Sequence, residues 1–267
     1  GVAPYQILAI TFTNKAADEM KERVYDLVGG QAKDIWLSTF HAFCAKLLRM
    51  EIEGMEGYKR NFVIYDASDA VVVIKSCLKE LNLDEKQFQP SSIQATISNA
   101  KNALMDAREF AREASHFHEQ KVAEIYQLYQ HKLRSNNALD FDDLLMLTVR
   151  LLENNQEVRE KYQDKLHYSM IDEYQDTNRA HYLLAHILAE KHHNLCVVGD
   201  ADQSIYAWRG ADIRNILDFE NDYPEATVIK LEQNYRSTQV ILDAANAVIE
   251  NNSSRRPKSL WTKNPQG

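Results

Sequence analysis

Residues 167–178 read HYSMIDEYQDTN, an apolar, strand-like run that opens into the acidic pair Asp172-Glu173. At the carboxyl end of a parallel strand, one such carboxylate can hold the water shell of a Mg²⁺ on nucleotide phosphates. Its neighbour can then polarise the water that attacks the γ-phosphate. The plainer reading of the dipeptide is a solvent-exposed strand end. A second apolar run, LCVVGDADQSIYAWRG over 195–210, repeats the layout and ends in polar and aromatic residues. Gln203 follows that run closely enough to bond both the γ-phosphate and the attacking water. Arg236 carries the planar fork suited to a phosphate under attack, a role worth ~10³ to 10⁵ in rate, and Tyr235 beside it offers a ring for adenine. Standing alone, Arg236 reads as a surface ion pair.

Phe12, Phe40, Tyr206 and Trp208 place π-faces beside Thr11, Asn14, His41 and Arg209. Aromatic stacking on a nucleic-acid strand contributes roughly 1 to 3 kcal/mol per base and tolerates any sequence. Core packing is the competing role, more so for Phe12 and Phe40 than for Tyr206 and Trp208, which follow a Gln-Ser turn. Asp140, Asp142 and Asp143 could be taken for a metal site, but a helix N-cap with acids complementing the dipole explains them.

Elements that can bring these residues together are visible in the pattern. Five short apolar runs, 6–11, 34–39, 167–171, 195–199 and 227–231, read as buried parallel strands. Helical periodicity follows at 13–28, capped by Thr13 or Asn14 and stopped at Gly29-Gly30, and again at 178–191 and 237–252. Such βαβ grammar predicts an α/β fold with a parallel sheet and helices on both faces, whose ligands gather beyond the carboxyl ends of the strands. Between about Asn61 and Lys165 the pattern is helix after helix, with starts near Ser68, Ser91, Asp106, His118 and Asp140. That stretch is expected to be a helical insertion.

The chain has 267 residues, 45% hydrophobic and 26% charged, the composition of an ordinary globular protein. No apolar run reaches the roughly 20 residues of a membrane span and no basic-then-apolar leader opens the chain, so a cytoplasmic setting without membrane partners is expected. Cys44, Cys77 and Cys196 lie scattered in apolar stretches and are expected to be buried, reduced thiols. His116, His118, His192 and His193 lack the companions of a metal site and read as solvated surface. The net charge of −8 argues mildly against nucleic acid, although cations can be confined to one groove. The tail from Asn251 holds Arg255, Arg256, Lys258 and Lys263 without an acid and reads as a solvated loop.

In this order the residues resemble the UvrD/Rep/PcrA family of superfamily-1 DNA helicases. AITFTNKAADEM is similar to the family's motif Ia, STFHAF to Ib, LDFDDLL to Id, IDEYQDTN to II, VVGDADQSIYAWRGAD to III and LEQNYRST to IV, so the match covers nearly the whole chain. The resemblance implies a RecA-like P-loop NTPase sheet interrupted by an all-helical subdomain. Its expected divisions are 1–60 and 140–238 for the first motor lobe, 61–139 for the insertion and 239–267 for the start of a second lobe. It implies ATP and Mg²⁺ as cofactors, with Mg²⁺ held at Asp172 through water, water activation at Glu173, γ-phosphate sensing by Gln203 and Arg236, and adenine stacking by Tyr235. Thr11, Phe12, Asn14, His41, Tyr206, Trp208 and Arg209 would meet DNA, with Arg209 coupling the DNA and ATP sites. The expected partners are single-stranded DNA and duplex junctions, with repair, replication-initiation or RNA polymerase proteins as candidates, and movement would run 3′ to 5′.

The family's GxxxxGK[ST] phosphate loop matches none of the eight glycines. The expectation is therefore a piece of a helicase that is inactive alone. Two alternatives share these motifs: the motor part of a helicase-nuclease of the AddA/RecB kind, and a non-catalytic DNA-binding or partner-docking module.

Overall fold

The structure, a computed structural model, describes residues 1–252 and 257–265, and at Arg209 the backbone alone. Strand β1 (Ile7–Thr11) is apolar and buried along nearly its whole length, as expected of an inner parallel strand. Thr13 then caps α1 (Asn14–Val28) by accepting a hydrogen bond from the Ala16 amide at 3.1 Å, and Gly29 ends it at φ +65°. Strand β2 (Trp36–Thr39) runs directly into α2 (Phe40–Glu51), whose cap is Thr39.

A short strand β3 (Val63–Tyr65) leads into α3 (Ala67–Glu80), α4 (Pro90–Asn102), α5 (Ala107–Glu113) and α6 (Phe117–Ser135). Asp66 and Asp106 each cap their helix through a capping box, and Pro90 opens α4, where a missing N–H costs nothing. These helices bury their own apolar cluster around Ile74, Ile97, Tyr126 and Leu133. Strand β4 (Ala138–Asp140) returns beside β3 in parallel register, Ile64 opposite Leu139.

From there α7 (Phe141–Asn154), α8 (Gln156–Lys165), β5 (Tyr168–Ile171), α9 (Arg179–Ala189) and β6 (Leu195–Val197) complete the main sheet, ordered β2-β1-β5-β6 and parallel throughout. One face packs Leu8, Ile10 and Ile171 against α2, α7 and α9 in the largest cluster. The other face packs Ala9 and Leu37 under α1. The α1 layer does not extend over β5 and β6, where Tyr168, Met170 and Cys196 are exposed. Short helices α10 (Arg214–Leu217) and α11 (Phe219–Asp222) follow, then β7 (Gln233–Asn234), α12 (Gln239–Ile249) and β8 (Trp261–Thr262), with β7 pairing β8.

Four expectations need correction. The run 227–231 is no strand: Val228, Ile229 and Leu231 are exposed, and no ladder among the described residues pairs with it. The 61–139 stretch is not all-helical, because β3 and β4 pair across it; three-residue strands are too short to show a period. Cys196 is exposed, on the uncovered face of β6, whereas Cys44 and Cys77 are buried as expected; all three are free. His192 is half-buried, its ring 4.2 Å from that of His167. No helix of the described residues is long and apolar enough to cross a membrane.

Candidate functional site

The Asp172 amide bonds the Ile10 carbonyl at 2.9 Å, so the ladder between β5 and β1 continues up to the first acid. At Glu173 the backbone turns left-handed, φ +53°, a costly conformation for a residue with a side chain. It breaks the strand and starts the turn Tyr174–Asp176, leaving Glu173 exposed and Asp172 half-buried at the rim. Burial and then the Glu173 charge raise the Asp172 carboxyl above its ordinary range, and the same two causes raise Asp176. Three acids crowd one turn, and the Asp176 Oδ1 is buried without a hydrogen-bond partner. The three carboxylates are not arranged as a metal site of three or more ligands, so a cation at this turn would have to be held by fewer of them, through water.

Gln175 is 1% exposed and spans two strand ends. Its Nε2 donates to Glu173 Oε2 at 2.7 Å and its Oε1 accepts the Asp200 amide at 2.9 Å. Asp200 Oδ2 accepts from Gln203 Nε2 at 2.8 Å, and the Asp200 carboxylate is paired with Lys258, which also lies 3.2 Å from Asp202. Burial works to raise Asp200, but Lys258 and Gln203 more than offset it and hold the carboxyl low. Gly199 permits this approach: a Cβ there would stand 2.6 Å from Gln175 Oε1 and 2.7 Å from Ile216 Cδ1. Glu173 and Gln203 are thus joined through two intervening residues.

The loop after Gln203 carries Tyr206 and Trp208, 37% and 70% exposed, with ring centroids 6.4 Å apart. It is tied back where the Asp212 amide and the Asn215 side chain both bond the Thr177 carbonyl, at 2.9 and 3.1 Å. Next to Thr177, Asn178 caps α9 and donates to Asn102 of α4 at 2.6 Å. The residues after the acid pair therefore touch both the aromatic loop and the helical stretch.

A second group lies at the ends of β1 and β2. Phe12, Phe40 and His181 form a cluster with centroids 4.4 to 5.4 Å apart, and His41 stands 6.4 Å from His181. Burial lowers His41, and burial with some help from His41 pushes His181 down to about 3. Phe12 is half-buried, Phe40 fully buried and Asn14 exposed on the first turn of α1. Thr11 lies beneath the rim, 1% exposed, with its Oγ1 unpaired.

The expected residues do not all converge. Tyr235 and Arg236 are exposed beyond β7, and no hydrogen bond or ion pair joins them to Asp172, Glu173 or Gln203 among the described residues. The Arg209 side chain, and Arg255 and Arg256 of the tail, lie outside the described residues. Lys258 of that tail is no solvated cation, since it pairs with Asp200.

Sequence reasoning passed over Gln175, His181 and Lys101. Lys101 is fully buried, 2.6 Å from Asp140 and 2.7 Å from Asp143. Asp140 does cap α7, as expected, and in addition the trio ties α4 to that cap. Burial works against the Lys101 charge, yet the two carboxylates hold it well above its ordinary value. Burial and then the Asp140 charge push Asp143 up to about 7. Among the described residues no group of His, Cys, Asp or Glu has the arrangement of a metal site of three or more ligands.

The parallel sheet flanked by helices, with an acid pair following β5 and a glutamine in the loop following β6, defines an α/β protein. Residues 1–224 match the model of the UvrD/REP helicase N-terminal domain, and the chain belongs to that family. It is similar over its whole length to proteins named ATP-dependent DNA helicase PcrA. Identity is 59% with that of Bacillus subtilis (strain 168), 58% with that of Staphylococcus aureus (strain Mu50 / ATCC 700699) and 57% with that of Staphylococcus epidermidis. The chain spans 36% of the length of these relatives.

Proposed function

We propose that this chain is part of an ATP-dependent DNA helicase that couples ATP hydrolysis to 3′-to-5′ movement on single-stranded DNA and to opening of duplex junctions. One observation carries the reading most directly. The acid pair and Gln203 stand at the carboxyl ends of neighbouring parallel strands, and the loop leaving Gln203 presents Tyr206 and Trp208 to solvent.

On this reading, residues 1–60 and 140–238 form a RecA-like motor lobe. Residues 61–139 are a subdomain inserted into it, with its own apolar cluster, and 239–267 open a second lobe. Asp172 holds Mg²⁺ through water, and that ion would neutralise phosphate charge. Glu173 orients and deprotonates the attacking water, and Gln203 reads the γ-phosphate. Tyr235 and Arg236 serve the adenine and phosphates after a rearrangement that brings them to the rim. Phe12, Asn14, His41, Tyr206 and Trp208 face the DNA strand, whereas Thr11, expected to meet DNA as well, is too deeply buried to do so in this arrangement. The Arg209 role in coupling the two sites is kept on sequence alone.

The test is ATP hydrolysis by the whole protein that carries this chain, with and without single-stranded DNA. DNA should stimulate the rate. Glu173→Gln should lower kcat by about 10² to 10⁴ while leaving nucleotide binding intact. Residues 1–267 alone should hydrolyse ATP negligibly, because they contain no GxxxxGK[ST] loop. A rate indifferent to DNA, or a Glu173→Gln protein as fast as wild type, overturns the reading.

A further inference from the structure

Of all the polar side chains at the rim, Gln175 combines near-complete burial with bonds to two separate strand ends. Its amide orientation is fixed by chemistry: the Asp200 amide can only donate, so the oxygen of Gln175 must face it, and the –NH₂ must face the Glu173 carboxylate. The close approach of that oxygen to the 199–200 backbone depends on glycine, since a Cβ at Gly199 would stand 2.6 Å from it. Glu173 itself is exposed and stands on a left-handed turn, so few other contacts restrain its carboxylate.

We propose that Gln175 is a positioning residue that sets the Glu173 carboxylate according to the place of the 200–208 loop. The inference rests on the ATP-hydrolysis reading above and adds the residue through which the loop acts. Asp200 bonds both Gln175 and Gln203, so a shift of the loop that carries Gln203, Tyr206 and Trp208 moves the acceptor end of Gln175. Its donor end, 2.7 Å from Glu173, moves with it. DNA gripped by the aromatic loop would thereby orient the base, and without Gln175 the loop can move while Glu173 does not follow.

Gln175→Glu separates the two ends of the side chain. The introduced carboxyl still accepts from the Asp200 amide but presents an oxygen in place of a donor to Glu173. In the whole protein, this substitution should lower DNA-stimulated kcat tenfold or more, with the KM for ATP and the Kd for single-stranded DNA within twofold of wild type. The deficit should shrink as pH falls, because a protonated introduced carboxyl can donate again. Gln175→Met, neutral and without donors, should show the same loss with no pH rescue, and thermal melting checks that both variants fold. A kcat within twofold of wild type in both variants overturns the proposal. So does a parallel loss of KM, DNA affinity and melting temperature, which would mark a purely structural glutamine. Absence of DNA stimulation in the wild type sinks the helicase reading, and this inference with it.

Discussion

His181 is a histidine held neutral by burial, its folded pKa pushed down to about 3 against an ordinary value of 6.5. A depressed histidine leaves the unfolded chain binding the extra proton as pH falls, so this side chain removes stability below about pH 6.5 and does so increasingly toward pH 3. At pH 5 the loss is about 2 kcal/mol, taking roughly 1.4 kcal/mol per pKa unit. His181→Phe, which keeps a ring against Phe12 and Phe40, should flatten urea-unfolding stability between pH 7 and pH 5; an unchanged pH slope would show that His181 does not carry the effect. His181 and Gln175 were illegible in the sequence for one reason. Each acquires meaning from a neighbour fixed only by folding: α9 against the ends of β1 and β2 for His181, and β5 beside β6 for Gln175. Asp172, Glu173 and Gln203 were legible because a charged or amide group where an apolar run stops is visible without any tertiary knowledge. Arg236 was legible as a residue but not as a position, because nothing local tells which face a loop arginine will take.

At the scale of elements, the helix starts that were expected fall within a residue or two of those observed, since a cap and its first-turn partner are neighbours in sequence. Thr13, Asp106 and Asp140 cap as expected, and Asp66 caps the helix expected to start near Ser68, whereas α2 and the start of α8 were not anticipated. What joins elements did not come through. The α4 to α7 joint consists of Lys101 between Asp140 and Asp143, 39 residues apart for the first pair, with the Tyr129 hydroxyl donating to Asp140 at 2.8 Å. Lys101→Met would leave two buried carboxylates without their cation, and it should destabilise the protein by about 3 to 5 kcal/mol in urea unfolding. Adding Asp143→Asn should recover part of that loss, since one unpaired charge then disappears. A neutral Lys101→Met would mean that the trio contributes nothing to joining the two helices. The joint also bears on function. Asn102, the next residue, bonds Asn178 just past the acid pair, so loosening α4 reaches the rim through one hydrogen bond.

For the whole molecule, the grammar of strands and helices was sufficient for a parallel sheet covered on both faces over β1 and β2, but it gave that sheet one strand too many and missed the short pairs β3-β4 and β7-β8. The run 227–231 has the composition of a buried strand, and in the structure Ile229 and Leu231 are 77% and 80% exposed. Composition records how a segment behaves when partnered, and the partner is a property of the assembled sheet. Strand β6 is likewise the outer strand on its side, and beside it Tyr168, Met170, Cys196 and Val198 are exposed. An open parallel edge, in a chain that also exposes an apolar, β-prone run, is a template for pairing between molecules, and no charged residue on β6 guards it. The 267-residue polypeptide should therefore self-associate, its sedimentation coefficient rising with concentration. Ile229→Lys with Leu231→Lys should suppress the rise, because two cations on the exposed run repel a second copy and cost nothing in a core they do not reach. A sedimentation coefficient independent of concentration would mean that 227–231 and the β6 edge are shielded from one another in solution. In that case the loop path that ties Lys230 to the Pro257 carbonyl and Lys258 to Asp200, rather than charge, is what keeps the edge from pairing.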